Sequence, residues 1–310
     1  MLRFKLLGTA AGGGVPQWNC ACAICDICRT NPQRVVPRLQ TQAAISSERL
    51  SRERLSREQD RWFLINASPD LRVQIEANPE LWPRPARGRR NTPVQGIVLT
   101  GADLDQTLGL LLLREFQPLT IYATRLVRRV LEANSFFRML TRVPGQLSWV
   151  EIVPGVPFSL DGVRCTPVPL PASLPYYARD LDGEEADGAS VGLVFEADGR
   201  RIAYTPSLPA IPDALRAEYA GCEVILADGT FWSDDELRSA QPGTPLARSI
   251  GHIPMSGVDG TVALLADVTA ARKVFVHINN TNPVLDQQSA ECAFVRERGW
   301  EVAWDGWQLS

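Results

Sequence analysis

No stretch in these 310 residues approaches the ~18 consecutive apolar residues that a bilayer-spanning helix requires, which excludes a helical membrane protein. The four-leucine run Leu110-Leu111-Leu112-Leu113 is far too short and reads as a buried helical patch. The N-terminus also lacks the apolar h-region of a secretory signal. A basic excess is missing as well: 32 Lys and Arg face 35 Asp and Glu, a net charge of -3. That balance argues against a nucleic-acid partner, which needs a concentrated basic face. No Gly/Ser- or Pro-rich linker divides the chain, so one domain over residues 1–310 is expected, with ample length for a core. Histidine is scarce, with only His252 and His277 present.

Cysteine, in contrast, is concentrated. Four of seven lie within nine positions, as Cys20-x-Cys22-xx-Cys25-xx-Cys28. Thiolates are soft donors, and four at about 2.3 Å suit tetrahedral Zn²⁺. The spacing is too cramped for two unstrained disulfides, whose Cα atoms lie about 4.4–6.8 Å apart. A structural Zn²⁺ site on Cys20, Cys22, Cys25 and Cys28 is therefore expected. Clustered cysteines without a secretion signal point to a reducing compartment, and so to a cytoplasmic protein. Cys165, Cys222 and Cys292 are scattered among apolar neighbours and read as small core residues. The knuckle is preceded by Gly8-Thr9-Ala10-Ala11-Gly12-Gly13-Gly14, a loop whose glycines can take positive φ and expose backbone N–H groups.

Short β-rich runs, such as Phe63–Ile65, Gly96–Leu99, Val191–Phe195, Val224–Leu226 and Lys273–Val276, recur along the chain. Between them lie amphipathic stretches, including Leu104–Arg114, Thr124–Ala133 and Ser289–Arg298. Adjacent strands early and strand–helix alternation late predict an α/β sandwich in place of a doubly wound sheet. Residues 46–60 hold a near-tandem Ser-Arg-Glu-Arg-Leu repeat whose leucines recur every five positions. That period holds no helical face, and the balanced charge predicts a solvated surface insertion between two strands.

Polar residues gather where strands end. After Ile97-Val98-Leu99 come Asp103 and Asp105, at the start of a predicted helix. Ligands bind at such strand ends in α/β folds, and two carboxylates two residues apart can share a hard cation. Helix capping is the competing explanation. Strand Val224–Leu226 delivers Asp228, placed to orient a ligand or a catalytic histidine. His277 ends strand Lys273–Val276 and is followed by three asparagines within five residues, poor core material and suited to metal or acid–base work. His252, in Gly251-His252-Ile253-Pro254, fits an acid–base role or a simple turn equally well.

Five segments together resemble one known family. They are Gly8–Cys25, Asn66-Ala-Ser-Pro-Asp-Leu-Arg72, Asp228-Gly-Thr-Phe-Trp-Ser-Asp-Asp-Glu236, Gly251-His-Ile-Pro-Met-Ser-Gly257 and His277-Ile-Asn-Asn-Thr-Asn-Pro283. In this order they are similar to the PQQ (pyrroloquinoline quinone) biosynthesis B family of the metallo-β-lactamase-like superfamily. The resemblance implies a metallo-β-lactamase-like αββα sandwich with its active site at the sheet edges and a separate zinc knuckle. Hydrolytic members of the superfamily carry His-x-His-x-Asp-His, where this chain has Gly101, Asp103, Asp105 and Gln106. Their bridging aspartate falls near Tyr204-Thr205-Pro206, which holds no carboxylate. Too few ligands then remain for two metals about 3.5–4 Å apart. An active-site metal on Asp103, Asp105 and His277, with Asp105, His252 and Asp228 in catalytic roles, is what the resemblance leaves. Fe²⁺ there implies O₂-dependent hydroxylation of a tyrosine in a peptide-derived Glu–Tyr precursor. The alternatives are a carrier involved in transport of PQQ or its precursor, and a single-metal hydrolase with His252 as general acid. Expected partners are a peptide-derived small molecule or PQQ precursor and a second copy in a homodimer, with no nucleic acid and no membrane.

Overall fold

The structure, a computed structural model, describes residues 1–47, 61–115, 117–181 and 188–309. Thirteen strands are formed among them. The first sheet runs in chain order through β1 (Leu2–Gly8), β2 (Gln42–Ser47), β3 (Trp62–Ile65), β4 (Val94–Val98), β5 (Leu119–Ala123) and β6 (Leu147–Glu151). Its first two pairings are antiparallel and the remaining three parallel. The second sheet holds β7 (Phe158–Leu160), β8 (Val163–Leu170), β9 (Ser190–Ala197), β10 (Arg200–Thr205), β11 (Val224–Asp228), β12 (Arg272–Val276) and β13 (Trp300–Val302). It is antiparallel from β7 to β10 and parallel from β10 to β13.

Side chains alternate across a strand, so each strand feeds two cores. Leu2, Phe4 and Leu6 of β1 meet Ile202, Tyr204, Val224 and Leu226 in the central layer between the sheets. Leu7 points the other way, to the layer under the helices of the first sheet. Ile225 and Ala227 likewise face outward from the second sheet, toward helices Ala23–Thr30, Asp213–Tyr219 and Ala290–Glu297. Helix–sheet–sheet–helix layering is the outcome, the expected αββα sandwich. Among the described residues no helix is long and apolar enough to cross a membrane.

The insertion expected at 46–60 is narrower. Ser46 and Ser47 complete β2, where Ser46 Oγ donates to the Arg61 carbonyl at 2.8 Å, and residues 48–60 lie outside the described residues. The helix expected over Leu104–Arg114 is α-helical only at Leu104–Thr107 and continues as a 3₁₀ segment to Leu113. The four-leucine run is buried at Leu110, whereas Leu112 is exposed.

Gly109 accounts for the tight docking of that segment. Its N–H donates to the Ala67 carbonyl at 2.9 Å, and a Cβ there would lie 2.2 Å from the Ser68 carbonyl oxygen. The opposing atoms are backbone and cannot swing aside. Gly109→Ala should therefore cost about 1–3 kcal/mol, the usual range for overpacking. A urea midpoint equal to that of the parent would refute the close-approach account.

Candidate metal centre and cleft

The carboxyl ends of parallel strands β4, β11 and β12 open on one side of the sandwich, where strand-end chemistry is expected. Asp103 and Asp105 follow β4, Asp228 ends β11, and His277 directly follows β12. Asp103 is the N-cap residue of helix Leu104–Thr107, yet its side chain makes no cap bond. The capping explanation thus fails for Asp103, and its carboxyl is left to the cleft that it lines.

Asp105 and His277 meet across the two sheets, with Oδ2 and Nε2 2.9 Å apart. His277 sits at φ 57°, a conformation costly for a residue with a Cβ, and several bonds hold it there. Its Nδ1 lies 2.7 Å from the Thr230 hydroxyl, which in turn donates to Asp228 Oδ1 at 2.5 Å. Thr230 therefore accepts from Nδ1–H, and Nε2 is the nitrogen that a metal can take. The glycine loop is laced to the same exit: Ala11 N–H donates to the Ile278 carbonyl and Ile278 N–H to that of Thr9, each at 2.9 Å. A Cβ on Gly12 would lie 3.7 Å from that of Asp105. Of its three consecutive glycines, Gly13 and Gly14 take positive φ.

Asp228 is fully buried, and its two oxygens are occupied by four donors. Oδ1 accepts from the Thr230 N–H and hydroxyl, and Oδ2 from Leu208 N–H at 2.8 Å and His252 Nδ1 at 2.6 Å. Asp228, His252 and His277 bring donor atoms within 4.8 Å of one another. With its lone pairs already engaged, Asp228 is placed to orient His252 and not to grip an ion or substrate. The His252 ring lies nearly parallel to that of His277, with centroids 5.5 Å apart. Its Nε2 is the nitrogen left for the cleft that His252 lines.

Asp103, Asp105, His252 and His277 wall a cleft of about 330 Å³ that Gln106, Ser207 and Asn279 also line. No carboxylate stands at Tyr204–Ser207, and Gln106 offers a neutral amide, held 3.3 Å from the Thr100 hydroxyl. Donors on hand for a cation are thus Asp105, His277, His252 and Asp103, a mixed oxygen–imidazole set suited to one divalent ion.

Charge follows from this packing. Burial raises the Asp105 carboxyl, but the hydrogen bond and charge of His277 outweigh it and hold the pKa below 3.8. Burial likewise opposes the His277 imidazolium, and Asp105 overcomes it, lifting the ring above 6.5. Asp103 has an exposed flank, yet desolvation of its carboxyl, then the like charge of Asp105, pushes it up to about 6. In the metal-free protein, the raised histidine contributes stability below 6.5 that is lost as pH rises through its folded pKa. The depressed Asp105 contributes above 3.8 and loses it as pH falls through its folded pKa. The pair is therefore fully formed between those limits. A metal at Nε2 must displace the proton, so its affinity should fall about tenfold per pH unit below the folded pKa of His277. Fe²⁺ titrations across that range check the slope, and a flat profile would exclude His277 as ligand.

The cysteine knuckle is a second, separate cluster. Cys22 is the N-cap residue of helix Ala23–Thr30, Cys25 lies in its first turn, and Cys20 precedes both. Their three sulfurs lie within 4.8 Å of one another. The Asn280 carbonyl oxygen is 3.5 Å from Cys22 Sγ, and Asn280 Nδ2 is 3.2 Å from Cys25 Sγ. Cys28 does not converge with them. The three residues from Cys25 to Cys28 add roughly 4.5 Å along the helix axis, and Cys28 is buried in the apolar core with Val15 and Ile24. Three thiols with Asn280 at the remaining corner fit a soft tetrahedral ion. Cys28→Ala should accordingly retain the full zinc content of the parent by element-resolved analysis. Loss of half or more would restore Cys28 to the ligand set.

Sequence reasoning singled out Asp103, Asp105, Asp228, His252 and His277, and all five come to this side of the molecule. It passed over Thr230, the hinge between Asp228 and His277, whose only signal was a hydroxyl two residues beyond a strand-terminal aspartate. Asp70 is the N-cap residue of helix Leu71–Glu76, but its side chain makes no cap bond: its Oδ2 accepts from Gln40 N–H at 2.8 Å, while Ser68 Oγ donates to Gln74 Oε1 at 2.9 Å.

Comparison with known proteins accords with this architecture. The Beta-lactamase superfamily domain family matches residues 61–278. The Coenzyme PQQ synthesis protein B of Methylobacterium radiotolerans is 41% identical over the full length of both chains. The crystal structure of Zn²⁺-bound PqqB from Methylobacterium extorquens superposes with a TM-score of 0.88 at 39% identity, covering 99% of each chain. A diphosphatase from the PhnP family shares the fold at a TM-score of 0.67 and 20% identity, covering 100% of this chain and 98% of its own.

Proposed function

The chain belongs to the coenzyme PQQ synthesis protein B family of the beta-lactamase superfamily, and from that premise we propose that it acts in PQQ biosynthesis as a tyrosine hydroxylase dependent on iron and O₂. Its substrate in this reading is a peptide-derived Glu–Tyr precursor. The observation that carries it is the preformed Asp105–His277 pair at 2.9 Å, flanked by His252 and Asp103 in an open cleft. Such an oxygen–imidazole set leaves coordination positions open, as non-haem Fe²⁺ requires.

Asp105 and His277 would hold the Fe²⁺, with Asp103 at the cleft mouth. The ion, when bound, supplies O₂ activation. One oxygen atom enters an aromatic C–H bond and the other leaves as water, with two electrons and two protons from an external reductant. His252, oriented by Asp228, is placed to hold or deliver a proton through Nε2. Thr230 keeps His277 in the tautomer that presents Nε2. The zinc in this reading belongs to Cys20, Cys22 and Cys25 with Asn280, and the zinc-bound relative supports a zinc site.

The test is anaerobic reconstitution with Fe²⁺, then aerobic incubation with Glu–Tyr and ascorbate. A product heavier by one oxygen is expected. Iron no higher than background and no such product would end the hydroxylase reading. Conversion that proceeds equally without O₂ would favour the single-metal hydrolase.

A further inference from the structure

The cleft does not end at the metal ligands. A second hollow of about 350 Å³ adjoins it, and Asp103, Ser207 and Ile250 line both. Arg179 and Arg248 line this annex, which carries more polar than apolar surface. We propose that Arg179 and Arg248 form a carboxylate-binding subsite that selects acidic ligands for the cleft. The inference rests on reading the cleft as the substrate site.

Both arginines are set in place by neighbours. The Tyr177 hydroxyl donates to the Ala102 carbonyl, tying the segment that bears Arg179 to the loop that bears Asp103. The Arg179 guanidinium lies 5.2 Å from the Tyr176 ring centre, a cation–π arrangement that limits its rotamers without using its hydrogen-bond donors. Arg248 is held through its backbone N–H, which donates to Asp234 Oδ1 at 2.9 Å. Its Nη2 meets the Asp259 carboxylate at 2.8 Å. Asp259 is mostly exposed, so solvent screens that pair, and with Nη2 also donating to the Asp259 carbonyl at 3.0 Å the guanidinium keeps three further N–H donors for a ligand.

Electrostatics explains why such a subsite is needed. Asp103, Asp105 and Asp228 make the metal end rich in carboxylates, which repel an acidic ligand until a cation is bound. Arg179 and Arg248 bring two guanidiniums to the annex, and their planar forks match a carboxylate bidentately. A ligand anchored there points its other end past Asp103 toward Asp105 and His277. Together the two hollows lie in the volume range of about 300–1,000 Å³ typical of small-molecule sites.

Calorimetry on the metal-loaded protein tests this with two probes, Glu–Tyr and its carboxylate-free counterpart Gln–Tyr amide. Arg179→Gln and Arg248→Gln should each weaken Glu–Tyr about tenfold, as expected for loss of one charge-assisted contact. Binding of Gln–Tyr amide should not change, and Arg248→Lys should recover only part of the loss. Equal weakening of both probes, or no change for either, overturns the subsite, as does parent protein that binds neither. Inorganic phosphate displacing Glu–Tyr as readily as glutarate does would overturn selection of a carboxylate. Charge-selective binding without hydroxylation would sink the function proposed above and leave the subsite standing. Hydroxylation with an unchanged KM in both glutamine variants would do the reverse.

Discussion

Asp105→Asn should lose cleft metal and at least about a hundredfold in turnover, while the knuckle keeps its zinc. An amide preserves the shape of the side chain but removes the charge that holds the His277 proton or a cation. Changes to residues that merely orient a metal ligand cost about 10–100-fold, so loss of a donor should cost no less. His277→Ala should match it in activity and exceed it in stability loss. It leaves the part-buried Asp105 carboxylate without its partner, and breaking a fully buried pair on one side costs about 3–5 kcal/mol, an upper bound for a group on the cleft wall. Element-resolved metal content, turnover of Glu–Tyr and thermal melts separate these effects. Full turnover and an undiminished second metal in Asp105→Asn would remove Asp105 from the centre altogether.

Loss of the knuckle zinc should have the other large effect, and it should reach the cleft. Asn280 touches Cys22 and Cys25, and only Ile278 and Asn279 separate it from His277. Asn279 lines the cleft, and its Nδ2 donates to Thr281 Oγ1 at 2.6 Å. Thr281 donates in turn to the buried Glu236 at 2.5 Å, so the whole exit of β12 is one connected piece. Cys25→Ser leaves two thiols, too few to close the site. Stability should fall by several kcal/mol, below the roughly 10–16 kcal/mol that zinc supplies to zinc-finger peptides. This protein has a large core of its own, so the loss should lower Tm without abolishing folding. Affinity of the cleft for its metal should drop with it, because His277 is held at positive φ by the same segment. Zinc-free protein with the parent Tm and parent cleft affinity would show that the two centres are independent.

Much of this architecture was legible before any coordinates. The continuous apolar run Val224–Ala227 marks a strand with two apolar faces, which a layered sandwich buries on both sides. Polar residues at strand ends marked Asp105, Asp228 and His277, with helix capping the rival explanation for Asp105. The less legible parts were decided by approach in space. Whether Cys28 joins the thiols depends on the helix that begins at Ala23, which a knuckle read as a loop does not reveal. The 3₁₀ continuation beyond Thr107 depends on the Ala67–Ser68 backbone standing against Gly109.

By itself the sequence determined the donor types, the layered fold class and the separation of sulfur from oxygen and nitrogen ligands. These follow from composition and period, which are local. Tertiary structure alone decided which donors share a cavity, which are consumed by their neighbours and where Asn280 and the two arginines stand. Those outcomes depend on distances between residues as far apart as Asp105 and His277, set by the packing of two sheets and not by neighbours in the chain.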